Sequence, residues 1–169
     1  MIFFARKPAE SMEGIEVRGD DSFRSRTREA LGLLSKTPSI ALVRTHVRTI
    51  RQGKRSGMRP WANEATFVAG RATWQHSALW YAGAIAHDAY HAKLYDAAAR
   101  RNGGREPAAD EWTGVDAEKK CLAFQYAVLQ TLSSDEITLR YVERCAENPA
   151  YQGRNRGLGS RLDYLKRWW

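Results

Sequence analysis

The run "SALWYAGAIAHDAYHAKLYDAAARR", residues 77–101, contains no Pro and is dense in Ala, Leu, Trp and Tyr. Uninterrupted helix-compatible sequence of this length predicts one long helix, because nothing in it removes a backbone donor or breaks the ladder. Arg100 and Arg101 suit the negative end of its dipole, and the following "NGG" supplies left-handed cap residues. The longest stretch without Asp, Glu, Lys or Arg is "ATWQHSALWYAGAIAH". It includes Gln, Ser and two His, and falls short of the roughly 18 apolar residues that a membrane span requires. A core helix is expected, with the other elements beside it and no membrane partner.

The flanking segments read as short strands and amphipathic helices. "GIEVRGDD" predicts a strand closed by turn residues, and "SFRSRTREALGLLSK" a helix with Ser22 as N-cap. In "PSIALVRTHVRTIRQGK", Ile40, Val43, Val47 and Ile50 recur at three and four, which predicts a second helix with Gly53 as C-cap. "SGMRPWANE" reads as loop, and "ATFVAGRATW" as a β-prone run interrupted by Gly70. Two more helices are expected. One carries Ala117, Cys121, Phe124, Val128 and Leu132 on one face; the other carries Ile137, Tyr141 and Cys145 and is stopped by Pro149. The tail "YQGRNRGLGSRLDYLKRWW" is Gly-rich and basic, with a helical end. The expected fold class is α+β, mostly helical, with a few short strands beside one long helix, in a single domain over residues 1–169.

The 169 residues include 43% hydrophobic and 27% charged side chains, ordinary globular usage that excludes a disordered or fibrous chain. The start, "MIFFARKPAESMEG", has its apolar residues before its basic ones, the wrong order for a secretory signal, so a cytoplasmic location is expected. Cys121 and Cys145 fall in different predicted helices without CxxC spacing, and read as reduced, buried side chains. A net charge of +8 makes attraction to polyanions possible. No Asp or Glu occurs from Thr37 to Asn63, and on the predicted second helix Arg44, Arg48, Arg51 and Arg55 share one stripe. That stripe is either a solvated face or a surface for an anion or nucleic acid.

The chemistry-bearing feature is "HDAYH", where His87 and His91 sit four apart. Four histidines scattered at random over this length give such a pair about one time in fourteen, so spacing alone does not decide. On a helix both imidazoles project from one face and can reach one ion. Glu118 stands 27 residues after His91, room enough for the helix to finish, a loop to reverse and an antiparallel helix to return a carboxylate. His76, eleven residues before His87, is about three turns away, too far for the same ion, and His46 reads as part of the basic helix. The competing reading makes the pair buried core histidines, with Glu118 a structural partner. Trp80, Tyr90, Leu94 and Tyr95 read as core.

"AHDAYHAKLY" followed by "GVDAEKKCLAFQ" resembles the zinc-binding core of the gluzincin-type metallopeptidases. In those, an HExxH helix supplies two histidines and a downstream helix a glutamate. The resemblance covers roughly residues 65–130, about two fifths of the chain, and places "ATFVAGRATW" where those folds put the strand lining the cleft. It implies a minimal zincin-like domain, zinc as the metal, His87, His91 and Glu118 as ligands, and a peptide or protein substrate. Asp88 stands where the family has its catalytic glutamate, one methylene shorter. The implied function is zinc-dependent hydrolysis of a peptide bond, with Asp88 as general base and Tyr141, or Arg140, as a residue that polarises the carbonyl. The alternatives are a metal-binding but catalytically inert interaction protein, and a basic nucleic-acid-binding protein with structural histidines. The sequence leaves the oligomeric state open.

Overall fold

The computed structural model describes residues 9–61, 64–132 and 135–147. The expectations for the start of the chain and for the basic "KRWW" tail lie outside these residues. In chain order the elements are β1 (Ala9–Met12), β2 (Ile15–Arg18), α1 (Asp21–Leu34), α2 (Ser39–His46), β3 (Thr49–Gly53), β4 (Gly57–Arg59), β5 (Thr66–Gly70), α3 (Arg71–His76), α4 (Ala78–Arg101), α5 (Asp110–Thr113), α6 (Val115–Leu132) and α7 (Glu136–Glu147). The fold is α+β and mostly helical, as expected.

The Pro-free run forms α4, capped by the Ser77 side chain accepting from the Trp80 backbone N–H, and followed by Gly103 and Gly104 in the left-handed region. Five strands make one sheet in the order β1-β2-β3-β5-β4, parallel through β2, β3 and β5 and antiparallel at both edges. Val17, Ile50, Phe67 and Met58 stand in one register row and are all buried. Their neighbours Arg51 and Arg59 are exposed, so one sheet face meets the helices and the other does not. Under the buried face, Phe23 of α1 meets Trp74 edge-on at 5.6 Å. The fully buried Tyr81 donates to Thr27 Oγ1 at 3.2 Å, because the Thr27 hydroxyl gives its own hydrogen to the Phe23 carbonyl.

α6 packs antiparallel along α4. The two backbones come so close at Gly83 that a Cβ there would lie 3.0–3.2 Å from the Leu129 side-chain carbons. α7 packs on α6 and reaches Trp80 of α4, burying Val142 with Leu139, Tyr141 and Cys145 packed around it. Among the described residues no helix is long and apolar enough to cross a membrane.

Several expectations are corrected. The second helix ends at His46, Val47 turns extended, and Thr49–Gly53 is a strand in the interior of the sheet. Val47, Thr49 and Ile50 are β-branched, and pairing on both sides satisfies the β3 backbone, which outweighs the helical spacing of their apolar neighbours. Gly53 therefore closes a strand and not a helix, at a point where a Cβ would meet Val68 at 2.3 Å. The four-arginine stripe does not form. Arg44 on α2 bonds the carbonyl and carboxylate of Glu13, Arg48 lies in the link to β3 and donates to the Arg44 carbonyl, Arg51 is on β3 and Arg55 in the following turn. The α1 cap is Asp20 and not Ser22, with Oδ1 accepting from the Phe23 N–H at 2.8 Å. "SGMRPWANE" contains β4, and "ATFVAGRATW" divides into β5 and α3 at Gly70. Of the expected α7 stripe, Ile137 is 82% exposed, while Tyr141 and Cys145 do pack inward, with Leu139, around the buried Val142.

Candidate metal centre

α4 presents His87 and His91 one turn apart on the face that meets α6. Short turns and the single-turn α5 reverse the chain, and α6 then returns Glu118 and Cys121, three apart on one face. Gly83 opposite Leu129 fixes the antiparallel register, in which position 121 lies level with position 91. Glu118, one turn earlier on α6, reaches back with a longer side chain. Its carboxylate is 3% exposed, the imidazoles of His87 and His91 are 14% and 10% exposed, and Cys121 is fully buried.

His91 Nε2 lies 3.1 Å from His87 Nε2 and 3.2 Å from Glu118 Oε2, and His87 Nε2 lies 3.6 Å from the same carboxylate oxygen. Two ligands bonded to one tetrahedral ion at 2.0–2.1 Å are separated by about 3.3–3.4 Å, the tetrahedron edge that those bonds generate. The three separations bracket that value. The Cys121 sulfur and one nitrogen of each histidine lie within 4.8 Å of one another.

The second nitrogen of His91 decides what the first can do. Nδ1 is 2.6 Å from the Trp112 carbonyl, and a carbonyl only accepts, so Nδ1 carries the hydrogen. Nε2 is then the atom that faces the Glu118 carboxylate and the second imidazole nitrogen, where either a proton or a metal cation can sit between them. The backbone anchor also fixes the ring and tautomer in the way that supports a metal-ligating histidine. The Nδ1 of His87 is buried and has no hydrogen-bond partner among the described residues.

The electrostatics point the same way. Burial opposes a charge on His91, yet hydrogen bonds with Cys121 and Glu118 push its pKa up to about 11. The pocket therefore favours positive charge where the donors converge. Burial raises the Cys121 thiol, with His91 pulling it back. Burial also raises the Asp88 carboxyl above the usual carboxylate range, against the pull of His87 and His91 and of a backbone hydrogen bond from Met58. Met58 is the middle residue of β4, the edge strand, which lies against α4.

The structure brings together His87, His91 and Glu118, with Asp88 beside them. It does not bring Tyr141, which packs edge-on against Trp80 at 5.7 Å. Trp80 is seven positions before His87, about 10 Å along the helix. Arg140 pairs with Glu136 at the surface. His46 bonds Asp96 of α4 at 2.6 Å, tying α2 to the long helix, and His76 rests on Trp80. Cys121 is the residue that sequence reasoning left out. Its signal is position, one turn after Glu118 on the same helix face. Two aromatic residues also frame the region: Trp112, whose carbonyl holds His91, contacts both Tyr95 and the exposed Trp61. No protein-family model matches the chain, and comparison with curated proteins and with solved structures finds no relative by sequence or by fold.

Proposed function

We propose that the protein is a zinc-dependent hydrolase acting on a peptide or protein substrate, with His87, His91 and Glu118 as ligands and Asp88 as general base. The observation that carries the metal is the convergence of His87 Nε2, His91 Nε2 and one Glu118 oxygen at 3.1–3.6 Å from one another, the spacing of ligands around one tetrahedral ion. Two imidazoles and a carboxylate form a donor set that suits zinc and leaves a fourth position. Zinc bound there supplies a Lewis acid for the scissile carbonyl and lowers the pKa of a coordinated water towards 7. His91, oriented by the Trp112 carbonyl, and His87 hold the two nitrogen donors on one rigid helix face. Asp88 accepts the proton of the attacking water and passes it to the leaving amine. It stands next to His87 on α4, the helix that packs against the edge strand β4. Thiols at Cys121 and Cys145 suit a reducing compartment, in keeping with a cytoplasmic protein.

Cys121 favours a second reading, an ion held without turnover, because a fourth protein donor leaves no place for water. The test of the first reading begins with metal content. Protein purified without chelator or added metal is expected to carry about one zinc per chain, since three protein ligands and a water complete a tetrahedral catalytic site. His87→Ala, His91→Ala and Glu118→Ala should each deplete it, and the loaded parent should cleave members of a diverse peptide library. Unchanged metal content in all three variants rules out this centre; zinc without cleavage selects the second reading.

A further inference from the structure

We infer that Cys121 is a fourth protein ligand of the same ion, so that two imidazoles, a carboxylate and a thiolate close the centre until the thiolate is displaced. This deepens the metal-binding reading and rests on it. Cys121 lies on the face of α6 that carries Glu118, level with His91 across the helix pair, and is completely buried. A buried cysteine ordinarily lies among apolar side chains, as a small hydrophobe. This one instead has its sulfur within 4.8 Å of nitrogens on both His87 and His91. A thiol used only for packing has no need of two imidazoles and a carboxylate around it.

The chemistry balances without any change in oxidation state. The Cys121 S–H bond breaks, its proton passes to solvent, and the sulfur's electron pair forms the bond to the metal. Two nitrogens, one oxygen and one sulfur make a borderline-soft set that suits zinc over magnesium or calcium. With sulfur in the fourth position the closed centre would hold no water, so a water would have to displace the thiolate, which would regain its proton from solvent, before Asp88 could act. The site is then gated from within its own ligand set.

The test uses cobalt(II) as a spectroscopic substitute for zinc in the full chain. The sequence contains only two cysteines. The parent and Cys145→Ser, each binding one cobalt, should both show the near-ultraviolet thiolate-to-cobalt charge-transfer band. Cys121→Ser should lose the band while still binding cobalt through His87, His91 and Glu118. If Cys121→Ser does not fold by circular dichroism, the band in Cys145→Ser still assigns the ligand, because Cys121 is then the remaining thiol. One cobalt bound to the parent with no such band overturns this inference and leaves the three-ligand centre standing. A band that disappears in Cys145→Ser and persists in Cys121→Ser also overturns it. Failure of the parent to bind cobalt or zinc at all overturns the metal centre itself, and this inference with it.

Discussion

Asp88 is one methylene shorter than a glutamate, and burial raises its carboxyl above the usual carboxylate range, with His87 and His91 pulling it back. Asp88→Asn keeps the shape and removes the basicity. It is expected to retain zinc and to lower turnover by about 10²–10⁴-fold, the usual scale of general acid–base help, measured as kcat on the best library peptide. Asp88→Glu lengthens the arm; a fall in kcat at unchanged zinc content would show that the cleft is built around the shorter acid. His91 yields a second residue-scale expectation. Its metal-free pKa is raised from 6.5 to about 11, so the proton stabilises the fold fully below 6.5, and that stabilisation is lost as pH rises through about 11. At pH 7 the metal-free ring keeps this proton, and zinc has to expel it. Titration calorimetry in buffers of different ionisation enthalpy should therefore register proton release on zinc binding, reduced in His91→Ala. Of the site itself, His87, His91 and Glu118 were legible because four-residue spacing on a helix and a return loop of adequate length are properties of the chain alone. Cys121 was not, because an isolated cysteine without a CxxC partner fits ordinary packing equally well. Only the α4–α6 register separates the two. Tyr141 failed for the matching reason: which face of α7 is covered depends on α6 and Trp80, not on α7's own spacing.

At the scale of elements, the separation of α4 and α6 is controlled by Gly83. Its missing Cβ leaves room for Leu129, with contacts that would fall to 3.0–3.2 Å if a side chain were added. Gly83→Val is expected to destabilise by about 1–3 kcal/mol through overpacking, and to weaken zinc retention by moving Glu118 and Cys121 away from the histidines. Denaturant unfolding and competition with a zinc chelator measure the two effects. Adding Leu129→Ala should recover part of both, since it vacates the volume that the valine enters. The long helix itself was readable because Ser77, the Pro-free interior and "NGG" agree on the same start and stop. β3 was misread because Val43, Val47 and Ile50 satisfy a helical period while Val47–Ile50 also satisfies a strand. The choice is made by β2 and β5, which pair with it from segments more than a dozen residues away. Short strands in the interior of a sheet are decided by partners, and partners are not written in the local period.

At the scale of the whole molecule, every proposed donor comes from the α4–α6 pair, while the sheet contributes the edge strand β4 that packs against α4. Metal binding should therefore stabilise the protein as a ligand does: at a thousandfold excess over its Kd, zinc adds about 4 kcal/mol. Removing it with a chelator is expected to lower the melting temperature reversibly, with recovery on adding zinc back; calorimetry of stripped and reloaded protein checks this. The same arrangement has a kinetic side. His91 and Glu118 are separated by 27 residues of sequence. Joining the ends of such a loop costs about 3 kcal/mol of chain entropy, on the logarithmic scaling of loop closure. An ion that bridges the two helices early removes that search from the remainder of folding, acting as a removable cross-link in a chain whose β2 and β3 must pair across 33 residues, as in Glu16 with Thr49.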